Sequence, residues 1–296
     1  MKTLYLTDLD GTLLNNSAAV SQTTAQILNK LIDKGMLFTV ATARTYSTVI
    51  PMMKDVKLNL PLVLMNGVCI YDIVSSKTVD IKNIDTKAGP EIVDAFEKNE
   101  KYPMVYFEKD GIIRVEYKIL TTKSQQNYVA NRKKFYKKEF VKTENFSLDK
   151  AQNLIYIVTL DKKDEVQHIF DYAKKRDDVS ANFYPDNYCD EYFLEIFSKD
   201  ASKASGALKV KEITGADKIV AFGDNLNDLA LFEIADEAYA VTNACDELKN
   251  AATGIIDSNE NDAVAKFLLQ RYENGELWFG VDLWKNYIMN TVKHIS

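Results

Sequence analysis

Acidic residues stand in two short motifs far apart in the chain, Asp8-Leu9-Asp10-Gly11-Thr12 and Gly223-Asp224-Asn225-Leu226-Asn227-Asp228. Between them lie Thr42-Ala43-Arg44, Asn66-Gly67 and Lys203. Brought together, Asp8, Asp10, Asp224 and Asp228 would repel one another: two carboxylates ~4 Å apart cost roughly 4 kcal/mol at an effective dielectric near 20. A hard divalent cation with oxygen ligands relieves that repulsion, and Mg²⁺ suits a few carboxylates completed by water and a phosphate oxygen. The motifs contain no His or Cys, so they offer nothing to a softer metal.

Phosphoryl transfer is the chemistry these residue types could perform. Residues two apart on an extended chain point the same way. One carboxylate of Asp8-x-Asp10 could then attack phosphorus in line while the other handles the proton of the leaving oxygen. Carboxylate nucleophiles do form aspartyl phosphates. Gly11 permits a sharp turn that brings backbone N–H groups near a phosphate. Thr42, between a strand and a helix, could hold a phosphate oxygen. Lys203, near a helix start, offers a compact positive charge to the transferring group.

The elements that must position these residues can be read from apolar spacing. Leu4-Tyr5-Leu6 runs into Thr7-Asp8, and Met36–Ala41 and Leu62–Met65 are further strand candidates. Gln22–Lys34 has apolar residues at helical spacing, with Gly35 as a C-cap, and a short helix follows over 46–53. This β-α-β-α-β order predicts parallel strands with helices on both faces. The middle changes character. Pro103–Phe107 and Ile112–Tyr117 flank Glu108-Lys109-Asp110-Gly111 as a hairpin, and Leu154–Val158 and Tyr192–Phe197 add strands. Alternation returns after residue 200, with helix at 203–213, strand at 218–222, helix at 228–235, strand at 239–241 and helix at 263–272. The prediction is an α/β, Rossmann-like parallel-sheet core, 1–83 with 198–296, carrying an inserted α+β domain, 84–197. Four strand candidates end in the polar motifs. In open α/β sheets ligands sit outside the carboxyl ends of the strands, so the motifs are expected to converge on one crevice.

Composition removes other classes. Lys+Arg is 37 against Asp+Glu 43, a net charge of −6, which does not favour nucleic acid as a partner. The run Asn131–Lys138 is the basic exception and reads as a solvated helix face. Cys69, Cys189 and Cys245 form no CxxC pair, and His168 and His294 lie far apart, so a disulfide framework, a zinc knuckle and His-based catalysis are not indicated. The start lacks the apolar stretch of a signal peptide, and no apolar run approaches the ~20 residues that span a bilayer. A cytoplasmic enzyme, monomeric or a small homo-oligomer, without membrane or nucleic-acid partners, is expected.

In order and spacing, Asp8–Thr12, Thr42-Ala43-Arg44, Lys203 and Gly223–Asp228 resemble the four motifs of the haloacid dehalogenase superfamily. The insertion, with Asn66-Gly67 before it, resembles the Cof-type phosphatases that carry a type IIB cap. The resemblance covers about residues 1–270. It implies an Mg²⁺-dependent phosphatase acting on a small phosphorylated metabolite such as a sugar phosphate, with its site in a cleft between core and cap. It implies Asp8 as nucleophile and metal ligand, Asp10 as general acid/base with its carbonyl on the metal, and Asp224 as metal ligand. Asp228 would support Asp224 or Lys203. Leu9, Thr42, Ala43, Lys203 and Asn227 would hold the phosphoryl group, with Arg44 and Asn66 supporting or touching substrate. Relatives usually carry Gly where Ala43 stands, a change that costs about 1–2 kcal/mol if φ there must be positive.

Plainer roles stand beside these. Thr42 or Asp228 could cap a helix, Arg44 could be structural, Asn66-Gly67 could be only a turn, and Tyr184, Tyr188 and Tyr192 could be cap core. The aromatic tail 273–296 has no evident place. A phosphomutase, or a phospho-accepting signalling domain, is the alternative use of the same residue types.

Overall fold

The computed structural model describes residues 1–277, except 110–111, 137–138, 149–153 and 187–188. The expected hairpin turn at Asp110-Gly111, Tyr188 and most of the aromatic tail lie outside the described residues. In chain order the elements begin with β1 (Thr3–Thr7), α1 (Gln22–Asp33), β2 (Leu37–Val40), α2 (Tyr46–Met52), β3 (Leu62–Leu64), β4 (Cys69–Asp72) and β5 (Lys77–Ile81). They continue with α3 (Ala88–Lys98), β6 (Met104–Lys109), β7 (Ile112–Tyr117), α4 (Lys123–Tyr136), β8 (Glu139–Lys142), β9 (Leu154–Asp161), α5 (Lys163–Lys174), β10 (Val179–Pro185) and β11 (Tyr192–Ser198). Last come α6 (Lys203–Thr214), β12 (Lys218–Gly223), α7 (Leu229–Ile234), β13 (Glu237–Val241), α8 (Asp246–Ala251), β14 (Gly254–Ile256) and α9 (Ala263–Glu273). No described helix is long and apolar enough to cross a membrane.

The chain divides into two compact units: Met1–Val79 with the segment from Ser202 on, and Asp80–Ala201. The first is built on a parallel sheet of order β14-β13-β12-β1-β2. From β1 the chain steps outward to β2, and later returns to the other side of β1 as β12. Right-handed crossovers in opposite directions put helices on opposite faces. Accordingly, α1 packs with α9, and α6 packs with α7. Helix α1 begins where Ser21 Oγ accepts the amide of Thr24, buries Ala25, Leu28, Leu31 and Ile32, and stops at Gly35, whose φ is +97°. Helix α6 starts with a reciprocal capping box between Ser202 and Ser205.

The third strand departs from the simple alternation. One parallel bridge, Ala41 to Val63, joins β3 to the end of β2, but β3 otherwise pairs antiparallel with β4 in a separate β3-β4-β5 sheet. Neither β4 nor β5 stood out in the sequence, because they follow the Asn66-Gly67 turn without a helix between. After β3 the chain turns through three successive residues of positive φ, Met65, Asn66 and Gly67. Gly67, at φ +90°, packs its α-carbon against the backbone carbonyl of Ser202, where a Cβ would overlap. That contact fixes the turn against the start of α6.

The second unit is a six-stranded sheet of order β10-β11-β9-β6-β7-β8. Its core gathers Ile92 and Phe96 of α3, Val166 and Ile169 of α5, and Val105, Ile157, Leu194 and Ile196 of the sheet. The expectation of an antiparallel arrangement needs one correction: β7 and β8 are parallel, because α4 returns the chain between them as a crossover. Tyr184 and Tyr192 pack on Phe193 and Phe183, with ring centroids 5.7 Å and 5.0 Å apart. In the basic run, Arg132 lies 3.4 Å from the ring centre of Tyr128. The unit runs from Asp80 to Ala201, where 84 and 197 were expected.

Replacing Gly67 by Ala combines a left-handed backbone with an overlap on another backbone. We expect Gly67→Ala to destabilise the protein by about 3 kcal/mol, read as a lower urea midpoint with an unchanged slope. An unaltered midpoint would show that the turn does not rest on α6 as described.

Candidate functional site

Parallel register brings the motif tips side by side. Thr7 of β1 is in register with Phe222 of β12 and Val40 of β2. The Asp8 amide continues the ladder by donating to the Phe222 carbonyl at 2.9 Å, and the Ala41 amide donates to the Thr7 carbonyl at 2.8 Å. Neighbouring strands lie about 4.8 Å apart, so Asp8, Asp224 and Thr42 emerge at adjacent positions.

Lys203 holds the centre. The first residue of α6, it is wholly buried, and its Nζ donates to Asp8 Oδ1 and Asp228 Oδ1, both at 2.6 Å. The other oxygen of Asp228 accepts the amides of Asp224 (3.0 Å) and Asn225 (3.2 Å). Asp228 thus does both jobs weighed for it: it supports Lys203, and it fixes the backbone that carries Asp224. Thr12 Oγ donates to Asp224 Oδ1 at 3.0 Å. Gly11, at φ +76°, lets the turn pass so close to Asp224 that a Cβ would overlap Asp224 Oδ2.

Carboxylate oxygens of Asp8, Asp224 and Asp228 lie within 4.8 Å of one another. Burial is the main force raising the Asp8 carboxyl well above the ordinary range; Lys203 opposes it, while Asp228 and Asp224 add to it. Burial, then repulsion from Asp228, pushes Asp224 up to about 7. Burial alone would lower Lys203, but Asp228 and Asp8 more than offset it and hold the ammonium above its usual value. The directions agree physically. One ammonium bonded to Asp8 and Asp228 keeps its proton, and the Asp8 and Asp224 carboxyls are driven toward neutrality. Fully ionised, the group carries a formal charge of −2, which one divalent cation cancels. The donors are all oxygen, the set a hard cation takes.

Asp10 stands apart from this group. Strand β1 ends at Thr7, and Leu9–Leu13 form a wide turn closed by the Leu14 amide on the Leu9 carbonyl at 2.8 Å. The expectation that Asp8 and Asp10 share one face of an extended strand is therefore corrected. Asp8 turns in to Lys203, whereas Asp10 is half-exposed and pairs with Arg44 through both oxygens, Nε to Oδ2 at 2.6 Å and Nη2 to Oδ1 at 2.7 Å. A forked pair of this kind fixes orientation as well as charge.

Thr42 is buried, and its Oγ accepts the Arg44 amide at 3.2 Å, which leaves its O–H as a donor; Thr45, not Thr42, precedes α2. Among the described residues, non-glycine positive φ occurs at six positions, and Ala43 is not one of them, so alanine fits there without strain. Met65, Asn66 and Gly67 are stitched to the same loop, with the Met65 amide on the Arg44 carbonyl and the Asn66 amide on the Thr42 carbonyl. Asn66 is buried, and its Oδ1 accepts Asn227 Nδ2 at 3.3 Å. Leu9 is buried beneath the turn.

Three further contributors were not singled out in the sequence. Asn243 Nδ2 donates to the Gly11 carbonyl at 2.8 Å, Asn259 Nδ2 donates to the Leu14 carbonyl at 2.9 Å, and the Cys245 amide donates to the Asp224 carbonyl at 2.9 Å. Asn243 lies just past the end of β13, where the carboxyl-end rule could have found it. A backbone amide such as that of Cys245 leaves no residue-type signal.

Lys203→Met leaves Asp8 and Asp228 buried without their cation, and we expect a loss of about 3–5 kcal/mol; a change below about 1 kcal/mol in chemical denaturation would contradict the central ion pair. The acids give a second expectation. A carboxyl raised in the folded state contributes stability that is fully present below the unfolded value of about 3.9 and lost as the pH rises through the folded value. For Asp224 that loss runs from about 3.9 and is complete above about 7. Mg²⁺ should therefore raise the melting temperature much more at about pH 8 than at about pH 5, where protonation already relieves the repulsion. Equal shifts at both pH values would count against the cluster as the cation's seat.

The model of the haloacid dehalogenase-like hydrolase family matches residues 5–268. The 5-amino-6-(5-phospho-D-ribitylamino)uracil phosphatase YwtE of Bacillus subtilis is 27% identical over 285 residues, covering 89% of this chain and 96% of that protein. A second phosphatase of that name from the same organism, YitU, is 25% identical over 282 residues, covering 91% and 97%. The crystal structure of a haloacid dehalogenase-like hydrolase from Bacteroides thetaiotaomicron superposes with a TM-score of 0.75 at 20% identity, covering 92% of this chain and 100% of that one. With motif order, strand topology and family match in agreement over nearly the whole described length, the chain belongs to the haloacid dehalogenase-like hydrolase family and is an enzyme.

Proposed function

We propose that this hydrolase is an Mg²⁺-dependent phosphatase that removes the phosphate from a small phosphorylated metabolite through a phospho-aspartate at Asp8. The observation that carries the reading is the buried group of Asp8, Asp224 and Asp228 around Lys203, with Asp10 and Thr42 beside it. In this reading Asp8 and Asp224, with the Asp10 carbonyl, hold the cation, which when bound neutralises charge on the phosphoryl oxygens.

The chain's own residues would act in two steps. An Asp8 carboxylate oxygen attacks phosphorus, and the alcohol leaves with a proton from Asp10. A water then gives its proton to Asp10 and attacks the same phosphorus, which releases inorganic phosphate and restores the Asp8 carboxylate. Lys203 commits two N–H bonds to Asp8 and Asp228 and has a third for the phosphoryl group. The Thr42 hydroxyl and the amides about Leu9 and Ala43 would take the remaining oxygens, with Asn227 positioned by Asn66.

The two Bacillus subtilis relatives are named for a substrate with a phosphate on a ribityl chain. A monophosphate on a polyhydroxylated chain, sugar phosphates included, is accordingly the substrate class we assign.

Asp8→Asn should lower turnover at least about a thousandfold, because an amide does not attack phosphorus. Inorganic phosphate should accumulate from a panel of sugar and polyol phosphates supplied with Mg²⁺. Retained turnover in the folded variant would remove Asp8 as nucleophile. Interconversion of sugar phosphates without free phosphate would replace hydrolysis by a mutase reaction.

A further inference from the structure

Asp10 depends on a turn that has no place in the sheet. It lies beyond the last paired residue of β1, half-exposed, in the Leu9–Leu13 turn. Arg44 holds its carboxylate from one side. The backbone that carries it needs its own restraint, and Asn243 supplies one from the turn after β13. Asn243 Nδ2 donates to the carbonyl of Gly11, the residue next to Asp10, at 2.8 Å. Its Oδ1 accepts the Asn259 amide at 3.2 Å. A carbonyl on one side demands a donor and an N–H on the other demands an acceptor, so only one orientation of the Asn243 amide satisfies both.

The restraint is doubled on each side. Asn259, itself buried, donates from Nδ2 to the Leu14 carbonyl at the far end of the turn. Two residues beyond Asn243, the Cys245 amide donates to the Asp224 carbonyl. The segment Thr242–Cys245 thus grips both acid-bearing tips at once: by a side chain at Gly11, and by a backbone amide at Asp224.

We propose that Asn243 is a positioning residue for Asp10: its bond to Gly11 sets where the Asp10 carboxyl stands relative to the leaving oxygen. The inference rests on the reading of Asp10 as general acid/base. In the first step a misplaced acid slows leaving groups that need a proton and spares those that do not; the second step, in which Asp10 is the base, is common to all substrates, and kcat/KM reads the first step alone. An alkyl phosphate needs it; p-nitrophenyl phosphate, whose phenolate leaves unaided, does not.

The test compares kcat and KM for both substrates in the wild-type enzyme, Asn243→Ala, Asn243→Asp and Asp10→Asn, each with Mg²⁺. Asn243→Asp keeps the acceptor for Asn259 and replaces the donor to Gly11 by a carboxylate oxygen, so it serves if the alanine variant does not fold. We expect both Asn243 variants to lose roughly tenfold to a hundredfold in kcat/KM on the alkyl phosphate and less than about threefold in kcat/KM on p-nitrophenyl phosphate. Asp10→Asn should show the same selectivity in kcat/KM more strongly, and should also lower kcat on both substrates because the second step loses its base. Equal losses of kcat/KM on both substrates would overturn the role of Asn243. Absence of selectivity in Asp10→Asn would instead remove Asp10 as the acid, and the inference with it.

Discussion

A buried lysine between two buried carboxylates is the interaction on which the site depends. An ammonium and a carboxylate taken out of water are each costly, and their attraction compensates only when geometry and the remaining hydrogen bonds are satisfied. Here they are. Asp228 spends one oxygen on Lys203 and the other on two amides of its own loop, while Asp8 shares the same ammonium. The network joins β1, α6 and the loop after β12, three pieces far apart in sequence. Burial is the larger cause of the upward shift of the Asp8 and Asp224 carboxyls, and the network's deficit of positive charge adds to it. The buried ion pairs and the surplus of negative charge therefore come from one arrangement.

Glycines and left-handed residues bring these pieces close enough. Gly11 lets the first turn touch Asp224, and Gly67 lets the turn after β3 rest on Ser202, one residue before Lys203. The consecutive left-handed residues Met65 and Asn66 carry strain, since a Cβ in that conformation costs about 1–2 kcal/mol. They are held by bonds to the Thr42–Arg44 loop. Strain of this kind gathers where surrounding structure over-determines a functional turn, and its product is a fixed Asn66 facing Asn227.

Around this buried centre lies a more open, neutral pair, Arg44 with Asp10. The two acids of the first motif have thus been given opposite environments. Asp8 is dry and committed to a buried cation, whereas Asp10 is half-wet and held by a planar fork that any proton transfer must accommodate. Pushing two carboxyls into different surroundings is a general means of giving them different tasks. The loop after β13 contributes from outside by fixing the backbone just past Asp10, at Gly11.

Local sequence was enough for the elements with strong periodicity or punctuation. The apolar run of β1, the 3.6-residue spacing and glycine stop of α1, and the strand-then-acid pattern at Phe222–Asp224 name their own structure, because each is decided by neighbours a few residues away. The types and order of Asp8, Asp10, Thr42, Lys203, Asp224 and Asp228 likewise named groups that the fold brings to neighbouring strand ends. Short strands such as β4, β5 and β14 were not legible, since three to five residues carry too little periodicity and their pairing partners lie elsewhere. Nor were the parallel pairing of β7 with β8, the separation of Asp10 from Asp8, the fork with Arg44, or the bracing by Asn243, Asn259 and the Cys245 amide. Sequence determined which groups were available and in what order. Tertiary structure decided which of them share one ammonium, which face water and which merely hold a turn, because burial and contact are set by segments more than two hundred residues apart in the chain, such as Gly11 and Asn243.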